Sequence, residues 1–305
     1  MTAFVAPPPG RHGGDGARLA AALGVSPDEV LDLSASSNPC APDVARLVAT
    51  HASAVDRYPY PGPATAALAA AIGVDPERLL LTNGGAEAIA LVATELEVGD
   101  VDECDFSLYA RHLREVRPDA PRWRSNPHNP TGRLAAGDEH AAVWDEAFYP
   151  LATGAWTRGD ADSVVVGSLT KLFACPGLRV GYVIAPDADL VKRLGRKQPE
   201  WSVNSLACAV LPSLLDQCDL PAWSARVANL RAELEEVVRA RGLEPDPSDA
   251  NFVLVRRADG LRDRLAARAV LVRDTTSFGI PGGARIAVPD EAGLERLDQA
   301  LRATS

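Results

Sequence analysis

The 305-residue sequence lacks paired cysteines: Cys40, Cys104, Cys175, Cys208 and Cys218 are odd in number and scattered, with no Cys-x-x-Cys. That excludes a disulfide framework or a cysteine zinc site and suits a reducing, cytoplasmic setting. The five histidines form no metal-spaced cluster, so no metal is expected. Positive charge is in deficit, 31 Lys and Arg against 41 Asp and Glu. The net charge of −10 argues against nucleic acid or an anionic membrane as the main partner. It leaves room for an anionic small molecule, because local arginines can override the global sign. No apolar run approaches the roughly 20 residues that span a bilayer. The start, MTAFVAPPPGRHGGDG, has no basic segment followed by an apolar core and does not read as a secretory signal. Internal repeats and low-complexity linkers are also lacking.

What is present is a large apolar fraction, 47%, enough for one large domain and one smaller one. Helix patterns at 17–23, 41–54, 64–72 and 86–96 alternate with apolar runs such as ERLLLTN. Later runs at 164–167 and 179–185 read as strands, and 206–215 and 223–241 as helices. The end alternates NFVLVR, a helix near 261–268, AVLVR, ARIAV and a last helix over 290–302. Such alternation predicts an α/β fold with a mostly parallel central sheet and a smaller α+β C-terminal domain.

Four stretches carry candidate chemistry. In LTNGGAEAIA, 81–90, a strand ends, two glycines turn and a helix begins, a geometry suited to an anion or to a plain turn. SNPHNPTG, 125–132, holds Asn129 in a turn made rigid by two Asn-Pro steps. WDEAF, 144–148, places an acidic pair among apolar residues, where a buried carboxylate needs a cation. SLTKLFACPGLRVGY, 168–182, sets Ser168, Thr170 and Lys171 at a strand end, with Arg179 eight residues beyond the lysine. A lysine near an arginine has a lowered pKa and becomes a nucleophile toward carbonyl groups. The arginine can hold a phosphate bidentately.

In this order the four stretches resemble the fold type I pyridoxal-phosphate enzymes of the class I/II aminotransferase superfamily, over nearly the whole chain. The resemblance implies that Lys171 joins pyridoxal 5'-phosphate as an imine and that Asp145 pairs with its ring nitrogen, keeping it protonated. It assigns Asn129 to the phenolic oxygen. Gly85, Ala86, Ser168, Thr170 and Arg179 fall to the phosphate, and Phe106 to the ring face. Tyr58 resembles a tyrosine that reaches the phosphate of a neighbouring subunit, which implies a homodimer with shared active sites. Arg285 matches the arginine that grips the substrate carboxylate. The implied organisation is an arm, 1–40, joining the small domain; a large cofactor domain, 41–215; and a small domain, 216–305.

Within the superfamily the sequence is similar to threonine-phosphate decarboxylases and histidinol-phosphate aminotransferases. The HGGD and LDLSASSNPCAP segments, Phe148 where the aminotransferases generally have tyrosine, WSVNSLA and RDTTSFGIPGGARIAV favour the decarboxylase branch, which serves cobalamin side-chain synthesis. Histidinol-phosphate-type transamination is the alternative, and a non-catalytic binding protein on the same fold is a third reading. Arg273, His12 and Asn204 are further candidates for the substrate. Ser36 and Ala41 replace the usual Asn and Gly of the N-terminal loop. GDVDECDF, 99–106, is too short and acidic for the expected buried strand, so a large domain trimmed of at least one strand and some helix is expected.

Overall fold

The computed structural model describes residues 4–304. Its strands are β1 (Leu31–Leu33), β2 (Leu79–Thr82), β3 (Val98–Val101), β4 (Glu115–Val116), β5 (Arg122–Ser125), β6 (Val143–Asp145), β7 (Val164–Ser168), β8 (Gly181–Ile184), β9 (Phe252–Val255), β10 (Val270–Asp274) and β11 (Ala284–Ala287). Seven form a central sheet in the order β2-β8-β7-β6-β5-β3-β4. It is parallel from β7 through β6, β5 and β3 to β4, while β8 runs antiparallel to both its neighbours.

Both faces of this sheet are covered, and successive side chains alternate between them. Val165, Tyr182 and Ile184 pack into a core with Leu68, Leu81 and Leu211. Their neighbours Val164, Val166 and Val183 face the opposite core with Ile89, Val92 and Trp123. Two buried faces explain why SVVVG and GYVIA read as continuous apolar runs.

The remaining strands make a smaller sheet, β1-β10-β11-β9. The N-terminal β1 enters it parallel to β10 through Leu31↔Val270 and Leu33↔Val272. Helices Leu220–Arg239 and Glu291–Arg302 bury Leu230, Leu234 and Leu297 against it.

Three sequence expectations need correction. The strand thought missing near Gly99 exists as β3, paired through Asp100↔Arg122 and Val101↔Trp123. Gly99 admits it: a Cβ there would lie 2.7 Å from the Trp123 ring. The neighbouring acids turn outward, where Arg122 meets Asp100 at 3.6 Å and Asp102 at 3.1 Å. What is trimmed is the connections. β4 and β5 are joined by residues 117–121 alone, far below the roughly 12 residues of an ordinary parallel crossover. The short β4 permits this, since little strand length has to be retraced. Secondly, the helix expected over 41–54 is split into Val44–Thr50 and a 3-10 segment, Ala52–Asp56. Asp43 caps the first piece by accepting from Arg46 N at 3.0 Å. Thirdly, Lys171 is not at the strand end itself but inside a one-turn helix, Leu169–Leu172, that follows β7.

Candidate active site

Strands β5, β6 and β7 end on Ser125, Asp145 and Ser168, and the register sets Ser125 opposite Asp145. The carboxyl edge of parallel strands is where an open α/β sheet presents its ligand site. Lys171 lies there, one turn beyond β7, and its ammonium donates to the Ala35 carbonyl at 2.6 Å. Burial pushes its pKa down to about 8; Arg285 and Arg179 push the same way, and Asp32 opposes them.

The phosphate-type cradle is built by glycine. Gly84 has φ +78°, and a Cβ there would sit 2.5 Å from Arg179 Nη2. Gly181 on β8 backs the turn so closely that a Cβ would lie 2.6 Å from the Gly84 carbonyl carbon and Gly85 N. Gly85 and Ala86 then begin helix Gly85–Leu96, whose first N–H groups have no intrahelical acceptor. The hydroxyls of Ser168 and Thr170, 2.8 Å apart, complete the wall. Arg179 has φ +55°, left-handed for a non-glycine residue, and its Nη1 donates to Pro176 O at 3.3 Å. Strained backbone of this kind is held in place by its surroundings. Here Asn204 does so, donating to Leu178 O at 2.7 Å while its Oδ1 caps helix Ser205–Leu215. Asn204, a sequence candidate for substrate contact, thus spends these amide groups on the turn that precedes Arg179.

Asp145 closes the far end. Its Oδ2 accepts from Tyr109 OH at 2.8 Å and its Oδ1 from Ala147 N at 3.1 Å. Burial raises its pKa to about 6, with the Tyr109 hydrogen bond pulling the other way. Tyr109, fully buried, was not among the sequence candidates; its one signal is its place one turn after Phe106 in DFSLY. Phe106 packs edge-on against Tyr109 at 5.8 Å and against His12 at 5.5 Å. The second acid of the pair, Glu146, turns to the loop beyond, accepting from Arg158 N at 3.0 Å; burial raises its pKa to about 7.

On the small-domain side, Arg285 and Arg273 are cross-strand neighbours on β11 and β10. Both are buried, 5% and 4% exposed. Arg285 donates to Asn129 Oδ1 and to Ser34 O, and its buried Nε has no partner. Its guanidinium lies 4.6 Å over the Phe252 ring. Phe148 packs edge-on against that same ring at 5.1 Å. Burial, with Arg273 adding to it, lowers the Arg285 pKa to about 9. Arg273 donates to Gly10 O, Arg11 O and Ser277 Oγ, so it also pins the N-terminal arm that carries His12. Tyr58 stands apart: 78% exposed, its ring lies 4.8 Å from that of Trp201.

The donor set fits pyridoxal phosphate. A glycine-walled helix start with a cation and two hydroxyls suits its phosphate, Lys171 its aldehyde, and half-buried Asp145 its ring nitrogen. Among the described residues no cluster of three metal-ligating side chains occurs, and no helix is long and apolar enough to cross a membrane.

Comparison with known proteins agrees. The family Aminotransferase class I and II matches residues 88–301. Histidinol-phosphate aminotransferase 1 of Dechloromonas aromatica is 28% identical, covering 93% of both chains. Threonine-phosphate decarboxylase of Salmonella typhimurium is 31% identical, covering 95% of both. That alignment extends over 352 positions, more than the 305 residues here, so the relative carries segments this chain lacks. The histidinol-phosphate aminotransferase of Clostridium acetobutylicum has the same fold, with a TM-score of 0.79 at 20% identity over 90% of this chain and 98% of that one.

Proposed function

We propose that this chain, which belongs to the class I and II aminotransferase family, transfers an amino group to or from a phosphorylated substrate of the histidinol-phosphate type. Its cofactor is pyridoxal phosphate. The sequence reading ranked decarboxylation first. The relatives favour the other order, because histidinol-phosphate aminotransferases of several organisms match over nine-tenths of the chain.

The observation that carries the reading is the buried arginine pair. Arg285 and Arg273 direct their bonded donors to carbonyl, amide and hydroxyl oxygens, not to a carboxylate. A buried cation without an anion is costly, and an anionic substrate supplies what is missing. When bound, the cofactor supplies an electron sink for charge left at the substrate's α-carbon. Lys171, partly neutral near pH 8, takes and returns the proton at that carbon. Asp145, ionised, holds the ring nitrogen protonated. Arg285, tied to Asn129, holds an anionic group of the substrate beside the ring. Held there, that anionic group would fix how the substrate's α-carbon stands relative to Lys171, which takes its proton. Ser168, Thr170, Arg179, Gly85 and Ala86 anchor the phosphate. The exposed Tyr58 is assigned to the phosphate of a second copy, in a homodimer.

The test is amino transfer itself: glutamate formed from histidinol phosphate and 2-oxoglutarate supports the reading. Decarboxylation is the second reading, favoured by Phe148, which brings no hydroxyl to the site. Carbon dioxide from threonine phosphate, without glutamate in the first assay, would select it instead.

A further inference from the structure

Asp105 is a buried carboxylate, 3% exposed, on the link between β3 and helix Leu108–His112. Burying a carboxylate without a cationic partner is unfavourable, and among the described residues it forms no ion pair, so its bonds invite explanation. Oδ1 accepts from Phe106 N at 2.7 Å and from Ser125 Oγ at 2.6 Å, and Oδ2 accepts from Ser125 N at 3.0 Å. The same Ser125 hydroxyl accepts from Asn129 N at 2.8 Å. One carboxylate therefore ties together, through one serine, the two residues assigned to the face and the phenolic oxygen of the cofactor.

We propose that Asp105 and Ser125 are positioning residues of the cofactor site, which fix Phe106 and Asn129 relative to each other. The assignment rests on the reading that Asn129 meets the cofactor's phenolic oxygen. Phe106 and Asn129 are 23 residues apart in sequence and on different strand-end loops. Their relative placement needs a tether that neither loop provides alone. A carboxylate suits the task because it accepts several hydrogen bonds at once and gives none. Three other titratable groups interact with this carboxylate: Asp145, Tyr109 and His128, whose Nδ1 lies 2.9 Å from Thr131 Oγ1 and which Arg124, Asp102 and Glu139 also influence. Ser125→Ala leaves those charges in place, so its effect reports the tether and not the local charge.

Two readouts test this in the full-length protein with added pyridoxal phosphate: the dissociation constant, and the pH midpoint at which the bound cofactor's visible band shifts. A donor to the phenolic oxygen stabilises its negative charge and lowers that midpoint. Asn129→Ala is the reference, and a raised midpoint with it is required by the underlying reading. Ser125→Ala and Asp105→Asn are expected to raise the midpoint by about half a unit to one unit and to weaken binding about tenfold. Ser125→Thr, which keeps the hydroxyl, is expected to stay near the parent. If Asn129→Ala leaves the midpoint unmoved, the reading of Asn129 is overturned. If Asn129→Ala moves it while Ser125→Ala does not, or if Ser125→Thr behaves like Ser125→Ala, the tether is overturned. Should Asp105→Asn fail to fold, the two Ser125 variants still decide.

Discussion

The Tyr109 hydroxyl, fully buried, donates at 2.8 Å to Oδ2 of the half-buried Asp145. This bond keeps Asp145, which burial raises to about 6, from rising further. A charged-acceptor hydrogen bond of this kind contributes about 1.5–3 kcal/mol. Tyr109→Phe is therefore expected to weaken cofactor binding at neutral pH at least about tenfold. Cofactor titration followed by absorbance reads this directly, and unchanged affinity would remove Tyr109 from the account.

The same group fixes a pH dependence. The folded apoprotein holds Asp145 at about 6, above the 3.8 of a free aspartate side chain. Between those values the folded state binds the extra proton, so this group's contribution to apoprotein stability is full below the lower value and is lost as pH rises through about 6. Cofactor binding needs the ionised form and runs the other way. The melting-temperature gain from pyridoxal phosphate is thus expected to shrink as pH falls through about 6, by calorimetry with and without cofactor.

Lys171 sets a second edge. Its free amine is the reactive form, and with a pKa near 8 the rate of cofactor uptake should rise about tenfold per pH unit below that value and level off above it. Stopped-flow absorbance gives the profile. Lys171→Ala should bind cofactor without the visible band.

Gly181 and Gly84 offer a steric test. A Cβ on Gly181 meets backbone atoms of Gly84 and Gly85, which cannot swing aside as a side chain can. Gly181→Ala should displace the helix start and weaken the phosphate grip more than Gly177→Ala, where a Cβ meets open space. Equal cofactor affinity in the two variants would show that the cradle is not as tight as described.

The candidate cofactor residues were legible because their chemistry is local to short motifs at strand ends: Ser-x-Thr-Lys, Asn-Pro-Thr-Gly, the acid of WDEAF. Tyr109 and Asp105 were not, because each acts through a partner 20 or more residues away that only the pairing of β3 against β5 and of β5 against β6 brings near. Asn204 looked like a ligand residue because side-chain amides serve both ligands and helix caps, and sequence does not separate the two uses. β3 was missed because acidic residues argue against a buried strand, whereas here Gly99 and Val101 face the core and the acids meet Arg122.

Arg285→Met separates function from stability. It removes a buried cation whose pKa is already lowered to about 9. Replacing buried charge with an apolar chain is often neutral or stabilising by about 1–4 kcal/mol. The variant should unfold no more easily than the parent in denaturant, while KM for the anionic substrate rises at least about tenfold. A large stability loss with unchanged KM would make Arg285 a structural residue only.

The central claim, amino transfer at this site, is tested most directly in a single turnover. The cofactor-loaded protein is mixed with histidinol phosphate and the visible absorbance is followed, while a parallel mixture with threonine phosphate is followed for released carbon dioxide. The account predicts loss of the visible band with histidinol phosphate, with one amino group moved to the cofactor per site, and no carbon dioxide from threonine phosphate. A band that persists with histidinol phosphate, together with carbon dioxide released from threonine phosphate, would contradict it.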